Sequence, residues 1–437
     1  MYRVYGALTA LAWAAVLPYQ MVMAILKRTP PPSLRERLGY LQDGAAPGGF
    51  WMHAVSVGEV RLALRILPEL RRRFPGAAVH LTTGTATGRA LAASGAGAPP
   101  PASIGTLPFD LPFAMGRLLD RLRPRAVLVM ETEIWPNLLR VCAERGVPVL
   151  LVNGRISPRS YPRYRALRPF LQESLHGFTT LGMQSREDAE RIVGLGAAVH
   201  RVRVTGNLKF DLEPPRVDPD AVRRRLGVEA RTPLFVAGST AAGEERAVLQ
   251  AFRALRGVDV RARLVLAPRH PEDFPAAGTR ARDAGHVVAT WSRVAAIAGP
   301  PAPSWDVLVV DALGILPELY AAADLVFVGG SLVPRGGQNV LEPASLGKPV
   351  LFGPHMENFR APSEALVAAG AGFVAHDGEE LGRLLTRLLG DRAGYRVASA
   401  MAARVVEANR GALPKTMAMI EEALAPARSQ GQGALRA

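Results

Sequence analysis

The stretch from Gly329 to Phe359 constrains the fold of this chain more than any other part of the sequence. Two apolar runs, Leu325 to Val328 and Pro349 to Phe352, border it, and paired glycines lie between them. An apolar run, a glycine turn, a short helix and a second apolar run form the pattern of a βαβ unit in a parallel sheet. The sequence therefore predicts a sheet whose strands all run in one direction.

Asn339 and Glu342 lie three residues apart, where the helix of this unit is expected to begin. Ligands of parallel sheets bind at the carboxyl ends of the strands, where glycines let the backbone approach a phosphate or a sugar. A carboxylate at this place can accept hydrogen bonds from two ribose hydroxyls, so Glu342 is a candidate nucleotide contact. The alternative is that Glu342 only complements the dipole of its helix.

The alternation of strands and helices occurs twice in the 437 residues, on either side of a proline-rich segment at 213–219. A chain of this length also favours two domains. We therefore expect two doubly wound α/β halves. The expected strands are 50–55, 78–82, 126–130, 147–152, 178–181 and 201–204 in the first half, and 234–237, 263–267, 287–290, 307–310, 325–328 and 349–352 in the second.

The formal net charge of +15 indicates an anionic partner, which could be nucleic acid, acidic lipid or a phosphorylated substrate. Aromatic residues make up only 6% of the chain and no basic run is interleaved with them, which argues against single-stranded nucleic acid. Cys142 is the only cysteine, which excludes a disulfide framework and cysteine-based zinc sites. No histidines and carboxylates cluster at the spacing of metal ligands, so no metal site is expected.

Residues 4–26 contain no charged side chain and are bordered by Arg3 and Lys27. Such a segment is long enough to cross a bilayer as a helix, although Pro18 and Gln20 leave an interfacial helix as an alternative. The basic residues that follow it predict that the body of the protein lies on the cytoplasmic side. The sequence therefore predicts a membrane anchor at 1–30.

Glu59 follows the first expected strand and a glycine turn. Desolvation at a strand end can raise the pKa of a carboxyl group and suit it to take a proton from a hydroxyl. The alternative is an acid that complements the helix dipole. His53, within the strand, is expected to be structural rather than a ligand.

Glu131 and Glu133 flank Thr132 directly after another expected strand. They could form a catalytic pair, or one of them could cap the next helix. Lys209 stands just before the proline-rich segment, where it could stabilise developing negative charge or be an exposed hinge lysine.

The segment 153–168 carries five arginines, which suit phosphate groups or form a solvated basic face. In the second half, one strand after another ends in small, polar or cationic residues. These ends outline a nucleotide pocket with Arg269 as the phosphate partner. Neither a P-loop lysine signature nor a Gly-x-Gly-x-x-Gly turn after an early strand is present, which argues against an ATPase or a dehydrogenase.

Taken together, these motifs resemble the 3-deoxy-D-manno-octulosonic acid (Kdo) transferases of Gram-negative bacteria. The matching blocks run in order over nearly the whole chain, which makes the set far more specific than any single block. They are Ser-Val-Gly-Glu at 56–59, Met-Glu-Thr-Glu-Ile-Trp-Pro-Asn at 130–137, Asn-Gly-Arg-Ile-Ser at 153–157, Gly-Asn-Leu-Lys-Phe-Asp at 206–211, Gly-Ser-Thr at 238–240, Pro-Arg-His at 268–270, Gly-Gly-Gln-Asn-Val-Leu-Glu-Pro at 336–343 and Gly-Pro-His-Met-Glu-Asn-Phe at 353–359.

The resemblance implies the α/β GT-B fold of glycosyltransferases, in which two Rossmann-like domains with doubly wound parallel sheets face a cleft. Behind the N-terminal membrane-anchor helix, we expect an acceptor domain at 31–212, a CMP-sugar donor domain at 213–425 and a frayed tail at 426–437. Family members transfer Kdo from CMP-Kdo to lipid IVA, the lipid A precursor, in lipopolysaccharide biosynthesis at the inner membrane, without an active-site metal. The resemblance thus implies no cofactor besides the donor substrate, and anionic inner-membrane lipid as a further partner.

By the same resemblance, Glu59 is the general base, and Glu131 and Lys209 support the transition state. CMP is then held by residues of the second half, namely Pro268, Arg269, Leu313, Gly314, Ile315, Asn339, Val340, Leu341 and Glu342. Two positions depart from the family pattern, since Ile315 stands where a glutamate is usual and Ala241 where a histidine is usual. These departures affect details of the contacts to CMP or the sugar.

Two other functions stay open on the sequence alone. One is another GT-B enzyme, or a related epimerase, that uses a UDP-sugar, and nucleotide preference separates it from a Kdo transferase. The other is a non-enzymatic, membrane-tethered basic protein that binds lipid or nucleic acid. That protein would tolerate Glu59→Gln, because a binding face needs no proton acceptor.

Overall fold

The computed structural model describes residues 33–41, 45–95, 99–296 and 304–425, together with scattered positions between residues 5 and 26. The chain divides into two compact units, the first comprising residues 1–208 and 411–437 and the second residues 209–410. Most of the predicted anchor at 4–26, and the tail at 426–437, lie outside the described residues. Among the residues that are described, no helix is long and apolar enough to cross a membrane.

The first unit is built on a parallel sheet of seven strands in the order β3-β2-β1-β4-β5-β6-β7. Its strands are β1 (Phe50–Ala54), β2 (Val79–Thr83), β3 (Ser103–Thr106), β4 (Ala126–Met130), β5 (Val149–Gly154), β6 (Thr180–Met183) and β7 (Val202–Val204). Its first helices are α1 (Leu34–Arg37), α2 (Val57–Arg73), α3 (Ala86–Ser94), α4 (Pro112–Leu122), α5 (Pro136–Glu144), α6 (Tyr161–Ala166), α7 (Arg168–Leu175) and α8 (Arg186–Gly194).

Both faces of this sheet are covered by apolar side chains, as a parallel sheet requires. Strands β1 and β4 are buried along their whole length. Side chains that alternate along a strand point to opposite faces, so Trp51 belongs to one core and Met52 to the other. Helix α2 packs against the Met52 side, with Val60 and Leu67 buried.

The second unit repeats this plan with a parallel sheet in the order β10-β11-β9-β8-β12-β13-β14. Its strands are β8 (Leu234–Thr240), β9 (Arg263–Pro268), β10 (Val288–Thr290), β11 (Val307–Val309), β12 (Leu325–Val328), β13 (Val350–Phe352) and β14 (Gly372–Val374). Its helices are α9 (Pro219–Leu226), α10 (Glu245–Val258), α11 (Phe274–Asp283), α12 (Trp291–Ala295), α13 (Leu316–Ala322), α14 (Leu341–Ser345), α15 (Arg360–Ala368), α16 (Gly378–Gly390) and α17 (Arg392–Ala408).

The two doubly wound halves expected from the sequence are confirmed, and each sheet contains one strand that the sequence analysis missed. Both missed strands are short and lie at a sheet edge, β3 in the first unit and β14 in the second. In the first sheet the strand order reverses direction once, and the second sheet contains a similar reversal, although there β11 also lies between β9 and β10. The reversal lies between β1 and β4 in the first unit and between β8 and β12 in the second. In open parallel sheets this switch point is where ligands bind.

The C-terminal helix α18 (Ala412–Leu424) corrects the expected extent of the donor domain, 213–425. It belongs to the first unit, because Met417, Met419 and Ile420 are buried in the same core as Met52. The apolar spacing of the helix predicts a buried face but not the sheet against which that face packs.

Candidate functional site

The switch point of the first sheet brings together two carboxylates from distant parts of the sequence. Strands β1 and β4 are hydrogen-bonded neighbours, with Trp51 opposite Val127 and Met52 opposite Leu128. Glu59 lies in the first turn of α2, just after β1, and Glu131 directly follows β4. Both are buried, and the negative charge of Glu131 acts on the Glu59 carboxyl. The structure therefore brings these two candidate site residues together at one edge of the sheet.

The Glu59 carboxylate is held by its own turn. One oxygen accepts a hydrogen bond from the Val55 N–H at 2.8 Å and the other from the Ser56 hydroxyl at 2.8 Å. Ser56 in turn caps α2 by accepting from the Glu59 N–H. Glu59 therefore does act as a helix-terminus acid, the alternative considered above. The two bonds occupy only part of the acceptor capacity of a carboxylate, which has about four lone-pair sites.

The environment of Glu59 also suits a proton acceptor. Burial raises the pKa of the Glu59 carboxyl above its usual value, and the negative charge of Glu131 raises it further. The hydrogen bonds from Val55 and Ser56 oppose this shift. A glutamate with a raised pKa is a stronger base than an exposed one.

Glu131 adopts an uncommon backbone conformation, with φ at 55°. Residues other than glycine rarely occupy this region, and they cluster at functional sites when they do. Its carboxylate forms an ion pair with Arg155 at 3.1 Å, and the Thr132 hydroxyl donates to the Arg155 carbonyl at 2.8 Å. The loops after β4 and β5 are thus joined. Of the five arginines at 153–168, Arg155 is the one that contacts this site.

Glu133 has the most perturbed carboxyl of this cluster. Burial raises its pKa to about 7, and the charges of Glu59 and Glu131 add to the shift. The alternative that one of the two acids caps α5 is wrong, because Asp110 does so. The Asp110 carboxylate accepts from the N–H groups of Asn137 at 3.0 Å and Leu138 at 2.8 Å. Asp110 was not predicted as a cap, since nothing near it in sequence marks it as one.

His53 is structural, as expected. It is fully buried, and its Nδ1 lies 2.9 Å from the Thr82 hydroxyl. Burial lowers the pKa of His53 to about 3, so the ring is neutral at physiological pH.

Lys209 belongs to the second unit, where its ammonium group is fixed rather than freely exposed. Its Nζ donates to the Asn358 carbonyl at 3.0 Å and lies 5.3 Å from the centre of the Phe359 ring. Lys209 therefore contacts the Gly-Pro-His-Met-Glu-Asn-Phe block at 353–359, which is distant in sequence.

The residues expected to hold CMP lie at the carboxyl ends of neighbouring strands of the second sheet. Pro268 ends β9, and the Arg269 N–H donates to the Thr240 carbonyl at the end of β8 at 2.8 Å. Ser239, also at the end of β8, has φ at 55°. Four adjacent strands, β11, β9, β8 and β12, therefore contribute their ends to one edge of the sheet.

The turn Leu313-Gly314-Ile315 follows β11. Leu313 is exposed, and Gly314 has φ at 89°, which favours glycine. Ile315 packs against the apolar core of the second unit. Where the resembling family usually has a glutamate, this chain therefore has an apolar side chain that contacts the core. Only the backbone of residue 315 can then serve as a polar contact.

The segment from Asn339 to Glu342 divides into two buried and two polar positions. Val340 and Leu341 are fully buried in the core, which leaves their backbone groups as possible ligand contacts. The Asn339 side-chain amide donates to Glu342 at 3.0 Å and its carbonyl oxygen accepts from the Leu341 N–H at 3.1 Å. Glu342 is thus oriented by Asn339 at the first turn of α14.

Within the part of the chain that the structure describes, no three histidine, cysteine, aspartate or glutamate side chains are grouped so that they could hold a metal ion.

Comparison with known proteins decides the family. Residues 32–212 match the family model described as 3-deoxy-D-manno-octulosonic-acid transferase (kdotransferase). The 3-deoxy-D-manno-octulosonic acid transferase of Bordetella pertussis is 38% identical over 388 residues, covering 86% of this chain and 87% of that protein. The chain belongs to the Kdo transferase family. The enzyme of the same name from Haemophilus influenzae is 31% identical over 402 residues, covering 89% and 90% of the two chains.

A solved structure, a glycosyltransferase from Rickettsia africae, covers 87% of this chain and 100% of its own with a TM-score of 0.54. At 13% identity it supports the fold alone, a pair of GT-B-like α/β domains. Membership of the Kdo transferase family makes the protein a glycosyltransferase. The hypothesis of a non-enzymatic basic binding protein is therefore wrong.

We predict that Glu133→Gln stabilises the protein at alkaline pH. The pKa of Glu133 is about 7 in the folded protein and 4.5 as its usual value. Between pH 4.5 and about pH 7 the folded state therefore binds more protons than the unfolded state does. The free energy of unfolding then decreases as the pH rises through this window, and the amide removes that loss. Allowing for partial exposure, we expect a gain of about 2 kcal/mol at pH 8 and little change at pH 4.

Urea unfolding at both pH values measures this difference. The matched control is Glu144→Gln on the exposed surface of α5, which should change the stability by less than about 0.5 kcal/mol at either pH. An equal response of the two variants at pH 8 would contradict the half-buried, charge-coupled environment of Glu133.

Proposed function

We propose that this Kdo transferase transfers Kdo from CMP-Kdo to lipid IVA, with Glu59 as general base and without a metal. The observation that carries the proposal is the buried Glu59 carboxylate at the switch point of the first sheet, with its pKa raised by burial and by Glu131. Membership of the Kdo transferase family supports the sugar. The +15 charge of the chain fits a phosphorylated acceptor.

The proposed reaction is a direct displacement. A hydroxyl oxygen of the acceptor bonds to the anomeric carbon of Kdo, and the hydroxyl proton passes to Glu59. The bond from that carbon to the phosphate oxygen breaks, and its electron pair leaves with CMP. Glu131 and Lys209 support the transition state in this proposal. Their fixed positions agree with preorganised electrostatic stabilisation, since each is held by a short polar contact.

The donor is proposed to bind the second unit through Pro268, Arg269, the turn 313–315 and the segment 339–342. Arg269 supplies positive charge for the CMP phosphate. Glu342, oriented by Asn339, supplies a carboxylate for the ribose hydroxyls. The alternative of a UDP-sugar enzyme or epimerase is less favoured, because relatives at 38% and 31% identity over most of the chain are Kdo transferases.

We further propose that the protein works at the cytoplasmic face of the inner membrane, on anionic lipid. The first unit carries a basic–aromatic patch, which we define as Leu34, Arg35, Tyr40, Phe113 and Arg117. Its three apolar side chains are exposed. The Arg117 guanidinium lies 4.2 Å from the centre of the Tyr40 ring, and that of Arg35 lies 5.9 Å from it. Exposed aromatic and aliphatic groups among arginines suit an anionic lipid surface.

The transfer assay is the direct test of the proposed function. Purified protein, lipid IVA and CMP-Kdo generated in situ are incubated with a chelator, and products are identified by mass. We expect transfer by the wild type, and a loss of about 100-fold or more in Glu59→Gln, because the amide cannot accept the proton. A Glu59→Gln variant as active as the wild type would remove Glu59 as the base, and loss of activity in chelator would contradict metal independence.

The lipid proposal predicts that Phe113→Ser weakens binding to vesicles that contain phosphatidylglycerol by about tenfold, since the variant loses an aromatic ring at the interface. Vesicle sedimentation measures the fraction of protein bound to the vesicles. Phe113 is 54% exposed, and the control is Val397→Ser, 65% exposed in the second unit. Equal weakening by both variants, or equal binding to neutral vesicles, would contradict the patch as the lipid-binding surface.

A further inference from the structure

Glu244 occupies the switch point of the second sheet, the place where a ligand anion would be expected. It precedes α10 and is 1% exposed. One of its oxygens accepts from the N–H groups of Ala241 at 2.8 Å and Gly330 at 2.7 Å. The other accepts from the N–H groups of Ser331 at 2.8 Å and Leu332 at 2.7 Å.

Three successive backbone N–H groups after a strand form a concave anion site of the kind that binds phosphate in other proteins. Here the N–H groups of 330–332 are taken by an internal carboxylate. The glycine-rich stretch after β12 was expected to bring its backbone to a ligand, but these three amides already have partners. Burying a carboxylate is costly, and four charge-assisted hydrogen bonds offset that cost.

The bonds of Glu244 connect loops from both sides of the switch point. Ala241 follows β8, and residues 330–332 follow β12. Beyond them, the Ser331 hydroxyl accepts from the Gly353 N–H at 2.8 Å, and the Gly337 N–H donates to the Gly330 carbonyl at 2.8 Å. One buried carboxylate therefore fixes the ends of β8 and β12, and through Ser331 the end of β13.

These loops lead directly to the proposed donor contacts. Thr240, next to Ala241, accepts from the Arg269 N–H, and Gly337 is two residues from Asn339. A small displacement of either loop would change the relative positions of residues that must contact the nucleotide at the same time.

We propose that Glu244 is a positioning residue of the nucleotide site: its carboxylate fills the anion cradle at the switch point and holds the loops that carry Arg269 and Asn339. This inference rests on the proposed CMP-sugar donor. The clamp itself does not need the histidine that is usual in the family at position 241, because the contact that Ala241 makes with Glu244 comes from its backbone N–H.

The test compares Glu244→Gln with Glu245→Gln in the full chain. In Glu244→Gln, the new side-chain NH₂ group would face two N–H donors in place of an acceptor oxygen. Glu245 is equally buried, but its carboxylate accepts from the Gly243 N–H at 3.0 Å and pairs with Arg280 at 3.2 Å, so it contacts the loop after β8 without joining it to the loop after β12. Both variants should lower the unfolding temperature, whereas only Glu244→Gln should weaken CMP binding, by about tenfold.

Calorimetry with CMP and steady-state kinetics give the readouts. We expect Glu244→Gln to raise the KM for CMP-Kdo more than it lowers kcat, with the KM for lipid IVA unchanged. Unchanged CMP affinity in folded Glu244→Gln, or equal weakening in Glu245→Gln, would overturn the inference. Absence of CMP binding by the wild type would instead overturn the proposed donor, so the two failures are distinguishable.

Two further measurements apply if Glu244→Gln does not fold. Glu244→Asp keeps the charge but shortens the reach, and should weaken CMP binding in the same direction. Hydrogen exchange in the wild type without nucleotide should find the amides of 241 and 330–332 protected. Rapid exchange of these amides would contradict the carboxylate clamp whatever the ligand.

Discussion

The structure depends on carboxylates that are buried at the carboxyl ends of parallel strands. Removing a carboxylate from water is costly, so an acid that is buried at a strand end must find hydrogen-bonding or charged partners or remain protonated. Glu59, Glu131 and Glu244 all occupy such positions, and each is compensated differently. Two hydrogen bonds hold Glu59, an arginine pairs with Glu131, and four backbone N–H groups surround Glu244.

These differences give the carboxylates different chemical roles. Glu244 has all its acceptor sites directed at fixed N–H groups, so it serves as an internal anion. Glu59 keeps spare acceptor capacity and lies beside the charge of Glu131, so proton uptake is favoured. The same position in two related sheets thus suits the proposed base in one unit and the proposed structural clamp in the other. The number of N–H groups around the carboxylate accounts for the difference.

The sequence predicted those features that depend on local pattern. Apolar runs that end in glycine or polar residues located all the strands except β3 and β14, and Glu59 and Glu131 were each placed directly after a strand. That these two strands are neighbours is seen only in the structure. It did not predict features that depend on pairing over long distances. The two missed strands are short, with few buried positions, and the partner of α18 is a sheet formed much earlier in the chain. The cap from Asp110 and the clamp by Glu244 join loops that only the folded sheet brings together.

The most direct test of the account is the pH dependence of single-turnover Kdo transfer in the wild type and in Glu131→Gln. If Glu59 is the base, the acidic limb of the wild-type profile lies above the usual range of a glutamate, because burial and the Glu131 charge raise its pKa. Removal of that charge should move the limb to lower pH. An acidic limb that lies in the usual range of glutamate pKa values and does not shift in Glu131→Gln would contradict the account.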